Sequence, residues 1–567
     1  MSDKVIEKTK LVICWHMHQP NYVDSSTQTY VLPWTYLHAI KDYVDMAAHL
    51  EATPDARVVV NFAPVLLEQL EDYSTKIKLW AETRAKMTDP MLDALASESV
   101  LDCFIGNEIA ITDCLRANEE RLVDRYPHFK KLFQLAKEYS TDNDLSCYIN
   151  ESFVTDLLVW YNLAWMAETE KRCNPVIGEL IRKEKHFTIK DRHNLVAAIG
   201  QLIESIVPRY RALADRGQVE LAFSPYAHPI IPLMLDFKSA REASPEMPLP
   251  KTKEYPGGKA RAEWHFKKGM EVFEAHFGTK PTGCWPSEGG VSDQTIEMCA
   301  DMGISWVASG ESVLRSSLGE VGVKDQSCIH NAYQLEGSSV NCYFRDDGLS
   351  DLIGFDYAKW HADDAINNLV HHIENISKIC KDKKNTVISI IMDGENAWEY
   401  YPENGFHFLS QLYDRLSTSD IFELTTYSQC QSSGVKATQL PHIVAGSWVY
   451  GTFSTWIGDA EKNLAWDLLC QAKDTFDQVV ASNRLDSDAL SAATQQLAIC
   501  EGSDWFWWFG DYNPAGSVSD FDKLFRTHLT QLYLLLGEDV PTVLSDVISV
   551  GGGAPAAGGV MRHGVTQ

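Results

Sequence analysis

Residues 387–401 read VISIIMDGENAWEYY, a run rich in β-branched side chains that ends in a carboxylate, a glycine and a crowd of polar and aromatic groups. An apolar run bounded by turn residues is what a strand buried on both faces looks like, as in a parallel sheet covered by helices. Burial of VISII would bring Asp393 to the rim of that sheet beside the flexible Gly394. Alone the stretch decides little, because Asp-Gly is above all a turn signal.

The pattern recurs along the chain. LVICWH (11–16), ARVVVNF (56–62), QVELAFS (218–224), TGCW (282–285), ISWVAS (304–309) and VNCYF (340–344) are further short β-type runs with helical patterns between them. Strands alternating with helices in this way argue for an α/β chain whose parallel sheet is closed or nearly closed into a barrel, here about residues 1–400. Residues 66–215 are helical in pattern and far longer than one crossover needs, which reads as a helical insertion. SDQTIEMCADMG (292–303) predicts a helix with Ser292 as N-cap and Gly303 as its stop. After residue 400 the strand signal fades. The segments 463–482, 487–500 and 521–537 carry helical period, so a helical C-terminal domain is expected over 401–549. The low-complexity stretch VGGGAPAAGGVMRHGVTQ (550–567) is expected to be disordered.

Composition bounds the function. With 45% hydrophobic and 11% aromatic residues, the 567-residue chain has ample core for a large enzyme of more than one domain. Its formal charge of -28 repels nucleic acid and anionic lipid, so neither is an expected partner. The N-terminal MSDKVIEKTKLVICWHMHQP lacks the apolar core of a secretion signal, and no other stretch is apolar enough to span a bilayer. The 13 Cys are scattered without CxxC spacing, as reduced core residues of a cytoplasmic protein would be.

Four polar clusters fall where strands end: WHMHQP (15–20), SPYAHP (224–229), WPSEGG (285–290) and MDGENAWEYY (392–401). In barrels, functional groups gather on such loops. Glu288 sits between a Trp-Pro pair and two glycines, where neither helix nor strand continues, so its carboxylate is displayed on a rigid loop. Glu288 and Asp393 together supply what glycosidic cleavage requires: one group to attack or stabilise an oxocarbenium-like centre and one to protonate the leaving oxygen. Trp285, Tyr226, Trp398, Tyr400 and Tyr401 are candidates to stack on sugar rings. His16 and His18, two apart on a strand, share a face, which suits hydroxyl binding or metal ligation equally. Each feature also has a plain reading. Glu288 would serve as a cap for the helix near Ser292, and the Trp-rich run DWFWWFGD (504–511) reads more readily as helix-packing core than as a carbohydrate platform.

Taken in order, WHMHQP, GQVELAFSPYAHPIIPL, GCWPSEGGVS, IMDGENAWEYY and GSWVYGTFSTWIGDAEKNLAW resemble the five signature regions of glycoside hydrolase family 57, in its amylopullulanase and α-amylase-like branch. The resemblance runs from about residue 11 to about residue 540. It implies an incomplete (β/α)7 TIM-like barrel followed by a C-terminal helical bundle, with retaining action on α-glucans and no required metal or cofactor. It also implies that Glu288 is the nucleophile and Asp393 the acid/base. His18, His228 and Trp285 would line the sugar subsite at the scissile bond, and Trp448 and Trp456 would reach the cleft from the helical domain. Hydrolysis of α-1,4 bonds, with α-1,6 bonds as a further target, is the expected activity on starch, glycogen or maltodextrin. Three other readings stand beside it: a 4-α-glucanotransferase or branching-type transglycosylase, a metal-dependent polysaccharide deacetylase or α-mannosidase-like enzyme, and a non-catalytic glucan-binding protein.

Overall fold

The computed structural model describes residues 8–553 apart from residues 107, 108, 382 and 384. Its centre is a curled sheet. In chain order the strands are β1 (Thr9–Met17), β2 (Val23–Asp24), β3 (Thr29–Tyr30), β4 (Val58–Phe62), β5 (Val219–Phe223), β6 (Gly283–Cys284), β7 (Trp306–Ser309), β8 (Tyr333–Leu335), β9 (Asn341–Phe344), β10 (Val387–Asp393), β11 (Phe422–Thr425) and β12 (Thr438–Leu440). The main sheet runs β10-β1-β4-β5-β6-β7-β9-β8-β12, and β2 and β3 form a separate ribbon. From β10 to β9 every pairing is parallel. Among the described residues no ladder joins β9 to β10, so the barrel is incomplete, and a backbone bond from Asp346 N to Ser389 O (2.8 Å) bridges the seam. These are the seven strands expected from the sequence, in an incomplete (β/α)7 arrangement.

Side-chain alternation explains how β1 builds the barrel. Val12 and Cys14 point inward, where they pack with Val59, Ala222, Trp306, Tyr343 and Ile391. Leu11, Ile13, Trp15 and Met17 point outward into the larger core under the helices. Because the period is two, His16 follows Val12 and Cys14 to the inner face at the barrel mouth. On β10, Val387 and Ile391 are inward by the same alternation, and Asp393 follows them. The register pairs His16 with Asp393. Gly283 is where a side chain has no room, since a Cβ there would lie 1.9 Å from the Trp306 ring.

Between β4 and β5 the chain is helical, from Pro64–Thr83 to the 27-residue helix Ile189–Asp215, whose N-terminus carries a Thr188–Asp191 capping box. The helix after β6 spans Asp293–Asp301, with Ser292 capping it and Gly303 in the left-handed conformation beyond its end. The sheet does not end at residue 400. β11 pairs with Thr9–Val12 of β1, and β12 extends the far edge. Both were missed because they are short and partly solvent-facing, reading FELT and TQL without an apolar run. The C-terminal helices are Ala460–Ala481, Ser487–Cys500, Ser503–Trp508 and Ala515–Leu536. Of the stretch 550–567 expected to be disordered, residues 554–567 lie outside the described residues, whereas within its first four residues Gly552 and Gly553 both donate to Asn513 O. No helix among the described residues is long and apolar enough to cross a membrane.

Candidate active site

A cavity of about 490 Å3 opens where β1 and β10 end. His16, His18, Glu288, Asp393 and Glu395 reach it from the barrel, Arg116 and Trp165 from the helical insertion, and Trp448, Asp504, Trp507 and Trp508 from the C-terminal part of the chain.

Glu288 sits in a tight turn, Ser287–Gly289, with a left-handed backbone (φ 58°, ψ 27°) that is uncommon for a residue with a side chain. Its neighbours fix it there. Pro286 starts the turn, and Gly289, also left-handed, lies so close to Trp285 that a Cβ would meet the ring at 2.9 Å. Trp448 clamps the loop twice, donating its backbone N–H to Glu288 O (3.1 Å) and its indole Nε1–H to Glu288 Oε2 (3.1 Å). The Ser503 hydroxyl donates to Oε1 at 3.2 Å. The carboxyl is thus held by two donors, with 12% of its side chain open to the cavity.

Asp393, at the end of β10, accepts from the Asn396 side-chain amide (2.9 Å). Beside it, Glu395 is buried and accepts from His18 N (3.2 Å) and Gln19 Nε2 (3.3 Å), while its Oε2 has no hydrogen-bond partner among the described residues. Arg345 also lines the cavity, pinned by Asp347 and Asp351 at 2.6 Å each.

Three imidazoles stack at the base of the site, His16 and His18 lining the cavity and His228 behind them. His18 stacks on His228 at 4.0 Å between ring centroids, and His16 lies 5.0 Å from His228. Each ring is committed: His16 Nδ1 to Asn61 Oδ1 (2.6 Å), His18 Nε2 to Asp504 Oδ1 (2.8 Å) and His228 Nδ1 to Ser503 Oγ (3.0 Å). They stack as plates and do not converge on a point. Among the described residues no group of three or more His, Cys, Asp or Glu is arranged to hold a metal ion.

The electrostatics follow from this packing. Burial, with Asp504 and Asp393 adding repulsion, pushes Glu288 up to about 8 against the opposing pull of His18 and the Trp448 donor. Burial also raises Asp393, against Asn396, His18 and Arg345. Burial opposes charge on His18, but Asp504 together with Glu288 and Asp393 raises it above the usual histidine range. His16, by contrast, is pushed down to about 3 by burial and by His18, and His228 falls well below its usual range for the same reasons. The site therefore holds one chargeable imidazole among three acids, with two neutral rings beneath it.

The sequence profile of glycosyl hydrolase family 57 matches residues 12–443. The chain belongs to glycosyl hydrolase family 57. Solved structures of the family share its fold. A branching enzyme of this family from Thermococcus kodakaraensis superposes with a TM-score of 0.59 at 15% identity, covering 96% of this chain and 94% of that one. A family 57-type branching enzyme from Pyrococcus horikoshii gives 0.56 at 15%, covering 95% and 96%. An α-amylase from Thermotoga maritima gives 0.57 at 13%, covering 94% and 93%. No curated protein matches the sequence.

Within this family 57 fold the residues singled out from the sequence separate into groups. Glu288, Asp393, His16, His18 and Trp448 share the cavity. His228 and Trp285 lie directly behind it: His228 Nδ1 is 3.7 Å from Glu288 Oε1, and Trp285 meets Trp448 edge to face at 5.2 Å. Tyr226, Trp398 and Trp456 do not line it. The Tyr226 hydroxyl is taken by Glu68 (2.5 Å) and Gln495 (2.8 Å). Trp398 is buried beneath the Asp393 loop, donating to Gly394 O (2.8 Å) and packing on Trp15. Trp456 is buried against Trp507 at 5.8 Å. Of the two tyrosines at 400 and 401, Tyr400 lines the cavity and Tyr401 spends its hydroxyl on Ile353 O.

Residues that the sequence reading missed complete the site. Asp504 opens the stretch read as helix-packing core, with Ser503 immediately before it, and that stretch is divided: Trp505 and Phe506 are buried in the helical core, while Trp507 and Trp508 face the cavity. A period argument on DWFWWFGD would have separated the faces only with the axis of the short helix Ser503–Trp508 known. Asn61 had no signal beyond its place at the end of an apolar strand.

Proposed function

We propose that the chain is a retaining glycoside hydrolase of α-glucans, cleaving α-1,4 bonds, with α-1,6 bonds as a second target, through Glu288 as nucleophile and Asp393 as acid/base. The observation that carries the reading is the pairing of these two buried carboxyls on one sugar-sized cavity beside the chargeable His18.

In the first step the Glu288 carboxylate attacks the anomeric carbon while Asp393 gives its proton to the departing glycosidic oxygen. In the second, the Asp393 carboxylate takes a proton from water, whose oxygen bonds to the same carbon and releases Glu288. The site must then begin with one negative charge and one proton shared by the pair. Burial raises both acids, so it does not by itself say which holds the charge. The donors favour Glu288, which receives the Trp448 N–H and the Ser503 O–H, whereas Asp393 receives one amide N–H. Among the described residues, His18 Nδ1 and Glu395 Oε2, on side chains that line the cavity, have no hydrogen-bond partner, nor does His228 Nε2 behind it, and all three atoms are buried.

A sugar hydroxyl entering in place of water turns the same intermediate to transfer. Because branching enzymes and an α-amylase share the fold, the products must separate the two outcomes. The test uses wild type, Glu288→Gly and Asp393→Gly with an activated α-glucosyl oligosaccharide and added azide. Azide should rescue Glu288→Gly to the β-glycosyl azide and Asp393→Gly to the α-glycosyl azide. The reverse pattern exchanges the two roles, and full activity in either variant removes the assignment. Incubation of wild type with maltoheptaose, pullulan and amylose then reads bond type and transfer.

A further inference from the structure

Another buried carboxylate lies behind the site and takes no part in the chemistry above. Glu501 follows the helix Ser487–Cys500 and is 1% exposed. It accepts from Arg261 Nε (2.9 Å) and Nη2 (2.6 Å), from the Tyr255 hydroxyl (2.5 Å) and from His265 Nε2 (2.7 Å). Arg261 and His265 lie one turn apart on the barrel helix Gly258–Phe277, so the cluster ties that helix to the C-terminal helices.

Two routes lead from the cluster to the cavity. Along the C-terminal chain, Glu501 precedes Gly502, Ser503 and Asp504. Ser503 N donates to His228 O (3.0 Å), its hydroxyl stands between His228 Nδ1 and Glu288 Oε1, and Asp504 holds His18. Along the barrel, His265 O accepts from Tyr226 N (3.0 Å) and His265 Nδ1 from Ala227 N (3.4 Å), which fixes the loop that carries His228. The routes touch at Gly502, where a Cβ would lie 3.0 Å from Ala227 O. An ion pair this deeply buried holds its geometry, because either partner alone would be an uncompensated charge.

We propose that Glu501, through Arg261 and His265, is the positioning residue that holds Ser503 and Asp504 in the active site, so that the C-terminal helices complete the barrel's chemistry. The inference rests on reading the cavity as the active site. Glu501 itself stays ionised: burial opposes its charge, but Arg261 and His265 bring it down to about 2. His18 is the group through which displacement is felt. It faces Asp504, Glu288 and Asp393, stacks on His16 and His228, and gives its backbone N–H to Glu395. If Asp504 moves away, the strongest support for the His18 proton goes with it.

The experiment compares Glu501→Gln, Tyr255→Phe, Asp504→Asn and the double variant Glu501→Gln/Asp504→Asn with wild type. The His18 imidazole is titrated by NMR in ligand-free protein, and kcat and KM are measured on maltoheptaose. We expect the His18 titration to move to lower pH and kcat to fall roughly ten- to a hundredfold in Glu501→Gln with little change in KM. The losses in the double variant should be less than additive, because Glu501 acts in part through Asp504. If Glu501→Gln does not fold, Tyr255→Phe decides: it keeps every charge, loses one bond to Glu501 and should move both readouts in the same direction by less. Folded variants with wild-type His18 titration and kcat, or effects that add in the double variant, overturn the proposal. A wild type inactive on all α-glucans whose His18 nevertheless titrates as expected in the variants refutes the functional reading and leaves the positioning role standing.

Discussion

Glu288 and Glu501 are the same side chain in two buried settings, and their ionisation is driven in opposite directions, to about 8 and to about 2. Glu501 has a guanidinium, an imidazole and a phenol aimed at it. Glu288 has one indole N–H, one hydroxyl and an imidazole shared with two other acids, and it faces those acids across the cavity. Burial raises both carboxyls and is the largest single influence on each, so burial alone does not separate them. The balance between donors and neighbouring negative charge does, and that balance separates a group that holds two parts of a protein together from one that is left reactive.

The largest way to break this contrast is by activity. Glu288→Gln should lose on the order of 10^4-fold in kcat/KM on maltoheptaose, far beyond the loss expected for Glu501→Gln, and comparable losses in the two would erase the distinction. Stability should run the other way. Glu501→Gln leaves Arg261 buried and unpaired and should destabilise by about 3–5 kcal/mol in urea unfolding at pH 7. Glu288→Gln should instead stabilise at pH 8. The folded pKa of Glu288 lies above its unfolded value of 4.5, so the wild type loses stability relative to the glutamine variant as pH rises from 4.5 through about 8. Because the carboxyl faces a cavity that admits water, the gain at pH 8 is on the order of 1–3 kcal/mol. Below pH 4.5 the two should unfold alike, and a difference that persists there refutes the assignment. For Glu501 the sign reverses: its folded pKa lies below 4.5, so its contribution is present above that pH and disappears as pH falls through about 2. The smallest effect sharpens the account of Glu288. Trp448→Phe removes the Nε1–H donor and should raise the acid limb of the pH–kcat/KM profile by about half a unit to one unit. A limb that moves down would mean that the indole does not serve the charged form.

What could be read in the sequence was local. β-branched runs such as VISII favour buried strands, and alternation puts His16 and His18 on one face, whereas the register that sets His16 beside Asp393 belongs to the folded sheet. Pro286, Gly289 and Gly290 punctuate the loop of Glu288, since few other residues accept that backbone path. Aromatic type proved a poorer guide. Tyr226, Trp398 and Trp456 are as suited to stacking on sugar as Trp448, yet they are committed to Glu68, Gly394 O and Trp507.

The sequence by itself determined the barrel strands, the rigid loop that carries Glu288 and the shared face of His16 and His18, because each depends on residues within a few positions of one another. Only the tertiary structure decided that Ser503 and Asp504, more than two hundred residues beyond Glu288, stand against Glu288 and His18, and that Glu395, a further acid beside Asp393, has an oxygen without a hydrogen-bond partner among the described residues. Contacts across such separations leave no periodicity behind, and a side chain's charge depends on the neighbours that folding brings to it.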